Sequence, residues 1–231
     1  MESFNKKALI IVDMERGFMP ASEGERLGLR GFGELGVTGG ELIIPGANQL
    51  TDEYVHQNLP IAATFDYHPE ETAHFSDNPN YVNTWPKHCV GGTLGAELHP
   101  DLRIAKRPEL ATRFIKGDTP CDSPEDDTSY TGALAYDPQT GTYLPDWLRE
   151  QNVTEVDVIG LAKGDGGEHK LCVDSTAVDL HNDGFRVNLV SDVSEFVDQN
   201  NREVFARNMG AIGINLITLR EALAALTPTE A

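Results

Sequence analysis

Residues 155–192 read EVDVIGLAKGDGGEHKLCVDSTAVDLHNDGFRVNLVSD. The run opens with an apolar segment, EVDVIGLA (155–162), and passes through a glycine-rich charged stretch. It then enters CVDSTAVDLHNDG, where apolar residues recur at three and four positions and Gly184 stands where a helix would stop. A second apolar segment, RVNLVSD (186–192), follows at once. A strand, a helix and a strand joined in this way are read as a parallel pair with a crossover helix, because parallel strands cannot be joined by a tight turn.

The same alternation extends in both directions. ALIIVDM (8–14), IAATFD (61–66), ATRFIKG (111–117) and INLITL (214–219) read as further buried strands. Between the strands, ELIIPGANQLTDEYVHQ, YLPDWLREQ and NREVFARNMGAIG carry the helical period. The expectation is a three-layer α/β/α architecture, a mostly parallel sheet with helices on both faces. No internal repeat or linker divides the chain, so residues 1–231 are read as a single domain. Two Gly/Pro-rich excursions, 19–45 and 67–108, are long enough to suggest functional loops.

Composition narrows the function classes. With 18 basic and 37 acidic residues among 231, the formal charge is −19, which opposes binding to a nucleic-acid backbone or an anionic membrane surface. The acidic SPEDD stretch and TPTEA tail read as solvated surface. No apolar stretch is long enough to span a bilayer, and the N-terminal segment lacks the pattern of a signal peptide, so a cytoplasmic protein is expected. Three cysteines, Cys89, Cys121 and Cys172, make no CxxC pair and no even disulfide framework. They are read as reduced thiols with one candidate nucleophile among them.

In an open parallel sheet, ligands bind beyond the carboxyl ends of the strands. Those ends carry Asp13, then Asp66 with His68, then Lys116, and finally the segment that leads to Cys172. Each residue has an ordinary reading: Asp13 as a turn cap, Lys116 as a snorkelling edge lysine, Cys172 as a buried structural thiol. Jointly they make a chemical set. A carboxylate can take a thiol proton, a lysine can orient both groups, and a helix N-terminus favours a thiolate and supplies amides to an oxyanion. Asp66 and His68, two apart at a strand end, point to one side and with His74 or His88 form a facial set for a divalent metal.

These segments resemble the nicotinamidase branch of the isochorismatase-like cysteine hydrolases. The resemblance runs in order through LIIVDMERGFMP, FDYHPEETAHFS, WPKHCVGGTLGAELHP, FIKGDTP with SYTGAL after it, and IGLAKGDGGEHKLCVDSTAVDL. It implies a six-stranded parallel sheet in the order 3-2-1-4-5-6, and a triad of Asp13, Lys116 and Cys172. It further implies metal ligands Asp66, His68 and His88, with zinc first and manganese or iron as alternatives, and backbone oxyanion donors at Ala162 and Cys172. Phe18 falls where the family places an aromatic wall against the substrate ring. His74 matches a family histidine that is not usually a ligand, and Tyr130 matches a supporting position. The implied reaction is hydrolysis of nicotinamide to nicotinate and ammonia through a thioester, a step in NAD salvage, with a small-molecule amide as partner and self-association left open.

The chain departs from the pattern twice. Nine residues separate Ala162 from Cys172 where three are usual, and Glu15 stands where glutamine or asparagine is frequent. Other readings stay open at this point: another small-amide hydrolase of pyrazinamide or carbamoyl type, or a non-catalytic nucleotide-binding module using KGDGGEHK as a phosphate cradle. That stretch matches neither glycine-rich phosphate-loop spacing. It reads either as a solvated excursion or as a rim from which His169 and Lys170 reach the site.

Overall fold

A computed structural model describes residues 6–227, so the first five residues and most of the TPTEA tail (228–231) lie outside the described residues. In chain order the elements are β1 (Lys6–Val12), α1 (Ala21–Leu27), α2 (Ile44–His56), β2 (Ile61–Asp66), α3 (Arg103–Lys106), β3 (Thr112–Lys116) and α4 (Leu144–Glu150). The second half continues with β4 (Val153–Lys163), α5 (Cys172–Asn182), β5 (Arg186–Phe196), α6 (Arg202–Ala211), β6 (Asn215–Ile217) and α7 (Leu219–Leu226). The six strands form one parallel sheet in the order β3-β2-β1-β4-β5-β6.

Two apolar cores flank the sheet, and strand periodicity assigns residues to them. On β1, Leu9 and Ile11 join the core capped by α2 and α7, while Ala8, Ile10 and Val12 join the one capped by α4, α5 and α6. Helix α2 faces its core with Ile44, Ala47, Leu50, Thr51 and Tyr54, a stripe at helical spacing. Each fully buried leucine or isoleucine contributes about 1.5–3 kcal/mol relative to exposure. Among the described residues, no helix is long and apolar enough to cross a membrane.

The last strand is shorter than the sequence suggests. INLITL (214–219) is strand only over Asn215–Ile217, because Thr218 caps α7: its hydroxyl accepts from the Glu221 amide, and the Glu221 carboxylate accepts from the Thr218 amide. The excursion 19–45 also contains a helix, α1, and buries Met19, Val37 and Ile43 in the core.

The register gathers strand ends at one edge. Asp66 pairs with Lys116 across β2 and β3, and Val12 pairs with Gly160 across β1 and β4. Gly160, at φ +123°, cannot be another residue, since a Cβ there would lie 2.0 Å from the Val12 carbonyl oxygen. Immediately after β1, Asp13 takes a left-handed conformation at φ +46°. For a non-glycine residue this costs on the order of 1–3 kcal/mol, and such outliers concentrate at functional sites.

Candidate active site

Asp13, Lys116 and Cys172 meet at the carboxyl edge of the sheet. Asp13 is wholly buried; its Oδ1 accepts from the Thr64 hydroxyl at 2.6 Å, and its Oδ2 lies 2.8 Å from Lys116 Nζ. The same Nζ lies 3.3 Å from Asp66 Oδ1 and donates to Cys172 Sγ at 3.7 Å. One buried ammonium thus touches two carboxylates and the thiol. Burial alone would lower the Lys116 pKa, but Asp13, Asp66 and Cys172 hold it well above its usual value, so the lysine stays charged. Burial likewise raises Asp13, against the pull of Lys116. The Cys172 thiol is pushed well up by burial, with Lys116 opposing and Asp13 adding to the rise. The Cys172 thiol therefore favours its protonated form beside a carboxylate made more basic, an arrangement that suits transfer of that proton to Asp13.

A second cluster begins at the other oxygen of Asp66. Asp66 Oδ2 lies 2.9 Å from His68 Nε2 and 3.3 Å from His88 Nε2. Each of these rings also points Nδ1 at a backbone carbonyl, His68 at Gly117 (3.2 Å) and His88 at Pro86 (2.7 Å). A carbonyl only accepts, so both Nδ1 atoms carry the proton, and both Nε2 lone pairs are aimed at one carboxylate. That arrangement is repulsive unless a proton or a cation lies between, and Nδ1 held by a carbonyl is the usual setting of a metal-binding histidine. Burial works against charge on His68, yet Asp66 outweighs it and raises its pKa. Asp66, which burial would raise, is held well below the usual carboxylate range by His68 and Lys116.

His74 belongs with this cluster, although the resemblance set it outside the ligands. Donor atoms of His68, His74 and His88 lie within 4.8 Å of one another. The Nε2 of His74 is buried with no hydrogen-bond partner, and burial together with the nearby His68 lowers its pKa to about 4, so the ring is neutral. Three imidazoles and a carboxylate fit a divalent transition-metal ion, zinc included.

Cys172 of the triad and Asp66, His74 and His88 of the second cluster face one cavity of about 490 Å³, which Ala162 and Phe18 also line. Phe18 packs against His88 with ring centroids 5.4 Å apart, so it stands at the metal-type pole of the cavity. Leu35, Gly36 and Val37 bring the excursion 19–45 to the cavity as a wall. Tyr130 also lines it and accepts a hydrogen bond from Trp85 Nε1 at 2.5 Å. The Leu161–Ala162 peptide, at the cavity wall, is cis.

Three features gain a role that the sequence alone leaves open. Thr64, two residues before Asp66 in β2, was legible only as a polar residue on the period-two face that carries the acid. Glu15 is fully buried and accepts the Asp66 amide at 2.6 Å through Oε1. Burial, with Asp13 and Asp66 adding, pushes its pKa well up, so it is a neutral acid and brings no second negative charge to Asp13. The stretch KGDGGEHK is neither a phosphate cradle nor a free excursion. Its first residue, Lys163, ends β4 and is buried, with Nζ donating to the Ser191 carbonyl at 2.8 Å and lying 4.0 Å from the Phe196 ring centre. The amides of Gly164 and Gly166 already bind the carboxylate of Asp174. His169 lines the cavity, whereas Lys170 turns back to the Gly167 carbonyl.

Comparison with known proteins gives a consistent picture. Residues 127–221 match the isochorismatase domain. The chain is 32% identical over 215 residues to the nicotinamidase/pyrazinamidase of Mycobacterium tuberculosis, covering 91% of this chain and 98% of that protein. The crystal structure of pyrazinamidase of Pyrococcus horikoshii in complex with zinc superposes with a TM-score of 0.71 at 32% identity, covering 92% and 99% of the two chains. PnC1 from L. infantum, in complex with nicotinate, superposes with a TM-score of 0.71 at 27% identity, covering 96% of each chain.

Proposed function

Because the chain belongs to the nicotinamidase/pyrazinamidase family of isochorismatase-domain amide hydrolases, we propose that it hydrolyses nicotinamide to nicotinate and ammonia as one cytoplasmic hydrolase domain, with Cys172 as nucleophile. The observation that carries this reading is the position of Lys116 Nζ, within 2.8 Å of Asp13, 3.3 Å of Asp66 and 3.7 Å of Cys172 Sγ. That single charge couples the nucleophile, its base and the metal-type cluster.

In the first half-reaction Asp13 takes the Cys172 proton, and Sγ attacks the carboxamide carbon as the carbonyl π pair moves onto oxygen. The amides of Ala162 and Cys172 stabilise that oxyanion. When the tetrahedral species collapses, the C–N bond breaks and Asp13 returns the proton to the leaving nitrogen, which departs as ammonia. The acyl group is left as a thioester on Cys172. In the second half, Asp13 takes a proton from water as its oxygen attacks the thioester; the C–S bond then breaks, Asp13 returns that proton to Sγ to restore the thiol, and the acid released loses its own proton to solvent as nicotinate. Lys116 keeps Asp13 and Sγ in register throughout. Phe18 packs along the substrate ring. Asp66, His68 and His88, with His74 as a fourth donor, would hold a divalent ion that supplies a Lewis-acidic anchor for the pyridine nitrogen.

Ammonia release from nicotinamide, measured before and after chelation and after restoring zinc, tests this reading. Turnover that is lost on chelation and regained with zinc supports it. No ammonia from nicotinamide by zinc-loaded protein, alongside turnover of another small amide, would move the chain to a different substrate within the family.

A further inference from the structure

Ala162 and Cys172 both line the cavity, yet nine residues separate them. The connection is closed at its base by a side chain outside it. Asp174, the third residue of α5, is fully buried, and its Oδ1 accepts from the amides of both Gly164 (3.1 Å) and Leu171 (3.0 Å). Its Oδ2 accepts from Gly166 at 2.9 Å. One carboxylate oxygen therefore ties together the point where the chain leaves β4 and the point where it enters α5. The neck is tight enough that a Cβ on Gly164 would lie 2.0 Å from the His169 carbonyl oxygen. Beyond the neck the turn is self-contained: Asp165 Oδ1 accepts from the amides of Gly167 and His169, and Asn208 Nδ2 donates to the Asp165 carbonyl, tying the bud to α6.

An acid at the third position of a helix that accepts the N-cap amide is an ordinary capping device, and the Leu171 bond alone would need no further account. The bonds from Gly164 and Gly166 come from the opposite side of the connection, where capping has no part. They make the extra residues a bud on a closed neck, so that the length of the insertion does not reach the spacing between Ala162 and Cys172. Burial pushes the Asp174 pKa up to about 6 while its amide partners hold it down, which keeps the carboxylate ionised at neutral pH.

We propose that Asp174 is a positioning residue for the oxyanion site: by clamping Gly164 and Leu171 it holds the amides of Ala162 and Cys172 where the tetrahedral oxygen forms. The inference rests on Cys172 being the nucleophile of an amide hydrolase. Removing an oxyanion donor outright lowers kcat by about 10²–10³, so loosening both donors through their support should lower it roughly 10- to 100-fold.

The test uses two inhibitors that share the pyridine ring. Nicotinate reports ring binding alone. Pyridine-3-carbaldehyde reports the oxyanion: Sγ adds to the aldehyde carbon, the π pair moves onto oxygen and the thiol proton goes to Asp13, giving an adduct with no leaving group. The variants are Asp174→Ala, Asp174→Ser, which suits a helix N-terminus but cannot span both amides, and Asp174→Asn, which retains one oxygen able to accept from both. For Ala and Ser the expected result is a parallel fall in kcat and aldehyde affinity with nicotinate affinity unchanged, and Asn restores most of both. The proposal is overturned if the Ser variant keeps wild-type kcat and aldehyde affinity, or if nicotinate and aldehyde affinities weaken together, the mark of a collapsed pocket. Wild-type protein that releases no ammonia from nicotinamide would instead overturn the underlying assignment.

Discussion

Thr64→Val isolates what sets the basicity of Asp13. Valine replaces the hydroxyl with a methyl of nearly the same size, so the packing of β2 is retained while Asp13 Oδ1 loses its 2.6 Å partner. Asp13 keeps Lys116 at 2.8 Å on its other oxygen and stays buried. A hydrogen bond to a charged group contributes about 1.5–3 kcal/mol. It favours the carboxylate over the acid, so its loss raises the Asp13 pKa further, by about 1–2 pH units at about 1.4 kcal/mol each. Burial has already raised this carboxyl above 3.8, and activity is lost as pH falls through its pKa. The acid limb of kcat/KM against pH should therefore move upward by that amount in Thr64→Val, with the plateau at high pH preserved. A limb that stays in place, with normal folding, would refute the role given to Asp13 as the titrating base.

Glu15→Gln should leave kcat/KM within about threefold of wild type, because the protonated acid it replaces is already neutral. The native state holds the Glu15 proton more tightly than the unfolded chain; wild-type stability is therefore lost as pH rises through the range between the ordinary and the raised pKa. Urea unfolding at pH 5 and pH 8 should show the Gln variant gaining on wild type at the higher pH, and a constant difference would contradict a buried neutral acid. His74→Ala removes the unpartnered Nε2 from the histidine cluster. Zinc bound per chain after dialysis should fall, and retention equal to wild type would exclude His74 as a donor. Lys163 is buried and burial brings its pKa from 10.5 down to about 8, so the native state binds its proton less tightly than the unfolded chain does. Wild type should gain on the order of 2–3 kcal/mol over Lys163→Met as pH rises from 8 to 10.5, measured by denaturant unfolding, and a flat difference would refute this.

The layers of the fold were legible because the strands are buried on both faces and read as unbroken apolar runs; IAATFD coincides with β2 residue for residue. Strand order was not in that pattern and came only through the resemblance, since parallel pairing leaves no turn signal between neighbours. The helix LREALAAL has no counterpart in the sequence reading, and only its first residue falls inside the strand expected over 214–219, because the capping pair of Thr218 and Glu221 is invisible when only apolar runs are followed. At the site, Asp13, Asp66, Lys116 and Cys172 were legible as strand ends or helix starts, where topology alone brings residues together. His74 was legible from the residues as one of two alternatives for the third donor, and only the resemblance set it aside. The roles of Thr64, Glu15 and Asp174 were not legible, because what each does depends on a partner elsewhere in the chain: Thr64 on Asp13, Glu15 on Asp66, Asp174 on a glycine that precedes its own helix.

The claim on which the account rests is that the sulfur of Cys172 attacks the carboxamide, so its removal must stop the reaction without disturbing the metal-type cluster. Cys172 opens α5 and donates no bond to the histidines, so alanine leaves Asp66, His68, His74 and His88 in place. The decisive measurement is ammonia release from nicotinamide by purified, zinc-loaded Cys172→Ala protein beside wild type. The account predicts a loss of at least about 10³-fold with zinc content and unfolding midpoint unchanged. Persistent turnover by the alanine variant would contradict it.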